Sequence, residues 1–313
     1  MEICNLQSEI SMGNVVRDIS DTARWVAVYR ARESERPDAV FRDPYARALA
    51  GDRGEQIANA LPLGQQNAWA WTARTYLFDR HVTQQIAAGA DLVLNLAAGL
   101  DARPYRMDLP PSLRWVEVDL PEILDYKEQV LADAKPRCSL ERVRLDLFNV
   151  DARRGLFARV GRDARRAVVI AEGLLIYLMP DAVHALGRDL AAIPGIQQWI
   201  VDIVSPGLLR MLQEQMGDIV KQAGAPYLFA PPEGPMFFDA CGWTPVAVSS
   251  MLKAARKLNR LPLFLRMIAM LPESNGPQGS RPWSAVSVLA KSQQDGAPQT
   301  ATPTSAVTRN PPD

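Results

Sequence analysis

The chain is poor in the residues that build metal and redox centres. Its 313 residues include 3 cysteines and 2 histidines. Cys4, Cys138 and Cys241 are odd in number and far apart, which fits neither a disulfide framework nor a metal-ligand spacing. With His81 and His184 the only histidines, a His-rich metal site is argued against and no metal is expected. Long hydrophobic runs are also missing. No stretch approaches the ~18 uncharged apolar residues of a spanning helix. The greasiest run, Leu261–Leu271, carries Arg266 and has Pro262 and Pro272 at its ends. At the N-terminus, Glu2, Glu9, Arg17 and Asp18 interrupt any apolar core of a signal peptide. Charge of one sign is missing too: 35 Lys+Arg balance 35 Asp+Glu. Neither nucleic acid nor an anionic membrane is therefore expected as the main partner. A cytoplasmic location is expected.

What is present is core-forming material. Hydrophobic residues make up 48% of the chain, enough for one large domain or two modest ones. Residues 1–85 read as a helical N-terminal cap. Ser20 or Asp21 caps a helix through Trp25, Tyr29 and Arg30; a second runs through Tyr45, Ala46 and Leu49 and is stopped by Gly51 and Gly54; a third spans Trp69–Ile86. From Asp91 short apolar runs alternate with helical patterns. Asp91–Ala97, Leu113–Leu120, Leu140–Leu147, Ala167–Ala171 and Trp199–Val204 read as strands, with helices at Pro121–Ala134, Asp151–Val160 and Pro180–Ile193. That alternation predicts right-handed βαβ units and an α/β fold with a parallel sheet. A Met- and Gln-rich amphipathic helix follows at Gly207–Gly224, then two late strands at Trp243–Ser249 and Ser284–Lys291. Residues 292–313 have no apolar period and read as a disordered tail. A dense arginine region, from Arg137 through Arg142, Arg144, Arg153, Arg154, Arg159 and Arg162 to Arg166, reads as a solvated face. Only Phe148 and Phe157 are interleaved as aromatics, too few for a nucleic-acid patch.

Chemistry concentrates at the strand ends. The run Val93-Leu-Asn-Leu-Ala-Ala-Gly-Leu-Asp101 is a strand closing in small residues, which let a ligand approach the backbone. Twenty residues after Gly99, Asp119 ends the second strand, where a carboxylate can accept from both ribose hydroxyls of a nucleoside. Asp146 ends the third strand and Glu172 the fourth. Asp146 has an alternative reading as a helix cap, a role open also to Asn149 and Asp151. A dinucleotide site calls for G-x-G-x-x-G after the first strand. Here the turn has one glycine, and Arg103-Pro104 stands where a pyrophosphate needs bare helix N–H groups. Acidic surroundings suit a cationic nucleoside without phosphates.

The run Asn95-Leu-Ala-Ala-Gly-Leu-Asp-Ala-Arg-Pro-Tyr-Arg106 resembles the first motif of the leucine carboxyl methyltransferase-like family of bacterial S-adenosylmethionine-dependent methyltransferases. Asp21–Arg47, Trp115–Lys127 and Glu172–Leu178 are similar to further segments of that family, and the likeness spans about residues 14–290. The resemblance implies a Rossmann-like class I methyltransferase. Its seven-stranded, mostly parallel sheet would occupy 86–291, with an inserted helical lid at about 206–240. It implies S-adenosyl-L-methionine as cofactor: Asp119, with Leu120, at the ribose; Asp146 and Leu147 at the adenine; Ala97 and Gly99 along the methionine; Arg74 at the cofactor carboxylate; Glu172 near the amine or the methyl. The family's usual Gly-Ala-Gly is Ala97-Ala98-Gly99 here, so a methyl narrows the turn.

The acceptor is expected to be a small molecule methylated on oxygen, a carboxylate first. A carboxylate is ionised near neutral pH and needs no general base, whereas a phenol or alcohol gains from one. His81 and His184 both read as helix residues with ordinary partners; Glu172 and Tyr177 are the candidates for a catalytic or positioning part. Arg24, Tyr29 and Arg30 read either as a lid over an acidic substrate or as a solvated helix face. Met211, Leu212, Met216 and the run 261–271 read as walls of a greasy acceptor pocket or as core. Two rival functions remain: a non-catalytic S-adenosylmethionine-binding protein, which the same residues allow, and a nicotinamide-dependent oxidoreductase, which the missing glycines argue against.

Overall fold

The computed structural model describes residues 16, 19–61, 64, 66–222, 224–273 and 279–292. The tail expected after Lys291 lies, apart from Ser292, outside the described residues. Three helices lead: α1 (Ile19–Ser34), α2 (Ala46–Ala60) and α3 (Ala68–Ala87). Gly51 and Gly54 do not end α2. Gly51 takes φ 58° and ψ −177°, a conformation an L side chain rarely adopts, and the helix kinks there and resumes. The continuation carries Arg53 to Asp21 of α1, at 2.6 Å.

The sheet then builds through β1 (Leu92–Leu96), α4 (Arg103–Arg106), β2 (Arg114–Asp119), α5 (Pro121–Val130), β3 (Ser139–Arg144), α6 (Val150–Arg162), β4 (Ala167–Ala171), α7 (Pro180–Ala191) and β5 (Ile196–Val204). After it come α8 (Pro206–Gln222), a 3₁₀ segment at Gly234–Cys241, β6 (Trp243–Ser250), α9 (Met251–Lys257), α10 (Leu263–Ile268) and β7 (Ser284–Lys291). The seven strands lie in the order β3-β2-β1-β4-β5-β7-β6. The first five pair in parallel; β7 inserts antiparallel between β5 and β6. The two late strands thus form the expected antiparallel edge.

Alternation along β1 explains the two-sided core. Leu92, Leu94 and Leu96 pack with Leu156 and Phe157 of α6 and Leu186 of α7 on one face. Val93 packs with Leu77 and Phe78 of α3 on the other. β1 and β4 are fully buried and, apart from Asn95, apolar, as parallel strands covered on both faces require. Their neighbour relation marks the point where the chain reverses its direction of travel across the sheet, so the crevice opens beyond their carboxyl ends. The arginine-rich region is not one solvated face. Arg142 pairs with the buried Glu117 at 2.9 Å, and Arg153 is buried against Asp189. Exposed members are paired too, Arg144 with Asp125 and Glu128 and Arg159 with Glu141.

Candidate active site

A cavity of about 670 Å³ opens at the carboxyl edge of the parallel strands. Its floor is the loop after β1. Ala97 and Gly99 stand at φ 51° and 47°, turning the backbone so that the Gly99 N–H donates to Asp119 Oδ2 at 2.6 Å. The Leu120 N–H donates to Asp119 Oδ1 at 2.8 Å. The loop is pinned from outside as well. Arg30 donates through Nη2 to the Leu100 carbonyl at 2.6 Å and pairs with the buried Asp43 at 3.0 Å. Asn95 donates to Asp101 at 2.9 Å, and Asp101 in turn accepts from the Arg103 backbone N–H at 2.9 Å. That first amide of α4 is thereby taken, which removes the anion-binding helix end that a pyrophosphate would use.

The far wall is an ion-pair cluster. Glu172, just past β4, lies 3.1 Å from Arg74 of α3 and 2.8 Å from Arg103. Arg74 also reaches Asp202 of β5 at 3.3 Å, and Asp202 accepts from the Gly173 N–H at 2.7 Å. Gly173 stands at φ 67°, and a Cβ there would lie 3.2 Å from Arg74 Nη1; only glycine leaves the guanidinium its place. Burial opposes the Arg74 charge, but Asp202 and Glu172 more than offset it and raise its pKa above the ordinary arginine value. Burial pushes the Asp202 and Asp119 carboxyls up, against Arg74 for the first and two backbone N–H groups for the second. Asp101 is also buried, yet Arg103, Lys127 and Arg106 bring it down to about 2.

Charge in the wall is unbalanced. Asp101, Asp119, Asp146, Glu172 and Asp202 face three arginines, Arg30, Arg74 and Arg103. The remaining wall is mostly apolar, with Trp25 and Trp71 from the leading helices, Met211, Leu212 and Met216 from α8, and Tyr227 after it.

Most expected site residues converge on this cavity: Arg74, Ala97, Gly99, Asp119, Leu120, Asp146, Leu147, Glu172, Tyr177 and Arg30 all line it. Asp146 lies two residues beyond β3, which ends at Arg144 rather than Leu147. It accepts from the Phe148 N–H at 2.9 Å, while Asn149 caps α6. Arg24 and Tyr29 do not join the lining. Arg24 stacks 3.5 Å over the Tyr126 ring, and Tyr29 is buried against Trp71. The three expected lid residues therefore share no surface, because i, i+5 and i+6 spacing spreads them around α1. His81 bonds to Gln84 and Ser249, and His184 stacks on Phe237; both are outside the lining. Of the greasy candidates Met211, Leu212 and Met216 reach the cavity, and the run 261–271 does not.

Two site residues were not singled out from sequence. Asp202 is one; its signal is a lone carboxylate inside the apolar strand Trp199-Ile-Val-Asp-Ile-Val204. Arg103 is the other, read only as an obstacle to phosphate.

The sheet order and this crevice define the class I, S-adenosylmethionine-dependent methyltransferase type. The family model described as leucine carboxyl methyltransferase matches residues 23–191, more than half of the chain. The chain belongs to that family. A candidate S-adenosyl-L-methionine-dependent methyltransferase of Mycolicibacterium paratuberculosis is 33% identical over 204 residues, covering 61% of this chain and 67% of that protein. One from Mycobacterium tuberculosis is 35% identical over 207 residues, covering 61% and 63%. The chain thus spans under two thirds of the second relative's length. Among solved structures, a DUF574-family protein of Streptomyces avermitilis superposes with TM-score 0.55 at 17% identity, covering 79% of this chain and 95% of that one. A candidate methyltransferase of Thermobifida fusca gives 0.53 at 18% identity, covering 90% and 97%. At such identities these two show the fold.

Proposed function

We propose that the protein transfers a methyl group from S-adenosylmethionine to an oxygen of a small molecule, a carboxylate, and that the crevice beyond β1 and β4 is where both bind. The observation that carries the reading is the wall itself: five carboxylates against three arginines, around a backbone loop turned by Ala97 and Gly99. Such a wall fits a nucleoside with a cationic centre and one carboxylate. Asp119 keeps lone pairs free beside its two backbone bonds and binds the ribose hydroxyls. Arg74 uses Nε and Nη1 on Glu172 and Asp202; its Nη2 has no further hydrogen-bond partner among the described residues and is left for the cofactor carboxylate. Asp146 and Leu147 take the adenine, and Ala97 and Gly99 border the methionine chain. When bound, S-adenosylmethionine supplies a methyl carbon already activated by its sulfonium.

What the chain must add is position and dryness. Trp25, Trp71 and the α8 side chains exclude water from the acceptor half. The far-wall groups that could serve as a base are already engaged. Glu172 is held between two arginines, Asp202 is tied to Arg74 and Gly173, and burial raises the Tyr177 and Tyr227 hydroxyls above the ordinary tyrosine value. That supports an acceptor that arrives ionised. Glu172 and Tyr177 act as positioning groups. The test is an acceptor screen with labelled cofactor, followed by alkali. A methyl ester releases methanol and loses its label. A product stable to alkali is not a methyl ester and contradicts the carboxylate assignment.

A further inference from the structure

Leu263, Phe264, Met267, Ile268, Met270 and Leu271 are all exposed, from 50% to 79%. They fall within nine consecutive residues, on and just after α10. At 100° per residue, Leu263, Phe264, Met267 and Ile268 spread over about 140° of the helix circumference. Leu265 and Ala269 turn the other way and seat the segment on the core beside α3. A soluble surface scatters large apolar side chains singly; a contiguous patch marks a contact. This patch belongs neither to the cavity nor to the described core.

Its frame is cationic. From Met251 to Pro272 the chain has Lys253, Arg256, Lys257, Arg260 and Arg266 and no acidic residue. Arg260 is spent inside the protein on Glu33 and Asp38, and Lys253 reaches Glu273 at 3.6 Å. Arg256, Lys257 and Arg266 are exposed and pair with no carboxylate among the described residues. The net charge of zero hides this local excess.

We propose that α10 and its flanks are a docking surface for an anionic phospholipid membrane, with the apolar side chains entering the headgroup boundary and Arg256, Lys257 and Arg266 meeting lipid phosphates. Two features favour lipid over a protein. The apolar side chains protrude, so a rigid partner needs a matching pocket, whereas lipid flows around them. Protruding apolar residues flanked by unpaired cations are what an interfacial anchor requires. No helix among the described residues is long and apolar enough to cross a membrane, so the contact is at the interface.

The test uses the full chain with two kinds of vesicle, phosphatidylcholine alone and phosphatidylcholine mixed with phosphatidylglycerol, at low and high salt. Sedimentation with the mixed vesicles is expected, with less at high salt and little on the neutral ones. The double variants F264S/M267S and R256S/K257S should each reduce the bound fraction by roughly tenfold or more, with melting temperatures within a few degrees of the parent. Absence of sedimentation by the parent, or sedimentation of both variants equal to the parent's, overturns the proposal. So does a wild-type dimer in solution that F264S/M267S dissociates, which would make the patch a self-interface.

Discussion

Ala97 sits at φ 51°, where an L side chain costs ~1–2 kcal/mol, and it does so at the floor of the cavity. The strain persists because the loop is held from three sides, by Asp119, Arg30 and Asp101. Ala97→Gly should therefore leave thermal stability within about 1 kcal/mol of the parent, the relieved strain offsetting glycine's extra chain entropy. Ala97→Val, branched at Cβ in the same conformation, should destabilise by more than that and weaken cofactor binding; differential scanning calorimetry and a binding titration check both. Sequence made the strand-end carboxylates Asp119 and Glu172 legible because each closes a readable apolar strand. Asp202 was hidden, because one aspartate in an apolar strand carries no motif; its role comes from Arg74, 128 residues away in the chain.

The elements fix the site through one buried triad. Lys127 of α5 lies 2.7 Å from Glu117 of β2, both fully buried, and Arg142 of β3 closes on the same carboxylate at 2.9 Å. Asp119 is two residues along the same strand. Burial raises the Glu117 carboxyl, and Lys127 and Arg142 work against that. Lys127→Met would leave Glu117 with Arg142 alone, and breaking such a buried pair costs ~3–5 kcal/mol. A fall of that size in chemical-denaturation stability is expected, with cofactor affinity lowered as β2 loosens; an unchanged midpoint would show that the triad holds nothing. Helix and strand periods were readable here, but their limits were not. Gly51 looked like a stop and is a kink, since the helix beyond it has Ile57 and Ala58 to bury. Strand β3 ends early because its edge position leaves Leu145 and Asp146 free to turn into the crevice.

At the scale of the molecule, the buried carboxylates divide by pKa direction. Asp79 and Asp101 are lowered, Asp101 to about 2, by Arg103 and Arg106. Their stabilisation is complete above the ordinary value of ~3.9 and is lost as pH falls below it, for Asp101 toward about 2. Asp119 and Asp202 are raised. They take up protons in the folded state above that ordinary value, and in that window falling pH favours the fold while removing the charge that grips the ligand. Cofactor affinity should thus decline at a higher pH than melting temperature does; paired titrations and melts across the acid range check this, and coincident declines would contradict it. The parallel part of the sheet was legible from the βαβ alternation, and the seven-stranded, mostly parallel whole from the family resemblance; the strand order was not. The exposed α10 was not, because an apolar run reads as core until its surroundings are known.

Everything proposed for the crevice depends on Asp119 meeting a ribose. The most direct measurement is a calorimetric titration of the parent and of Asp119→Asn with S-adenosylmethionine and, separately, NAD. Asn preserves shape and one acceptor but removes the charge from two ribose bonds, each worth ~1.5–3 kcal/mol when charge-assisted. The expected result is one-to-one binding of S-adenosylmethionine, at least tenfold weaker in the variant, with no NAD binding by either protein. Equal affinity in parent and variant, or binding of NAD in place of S-adenosylmethionine, would contradict the account.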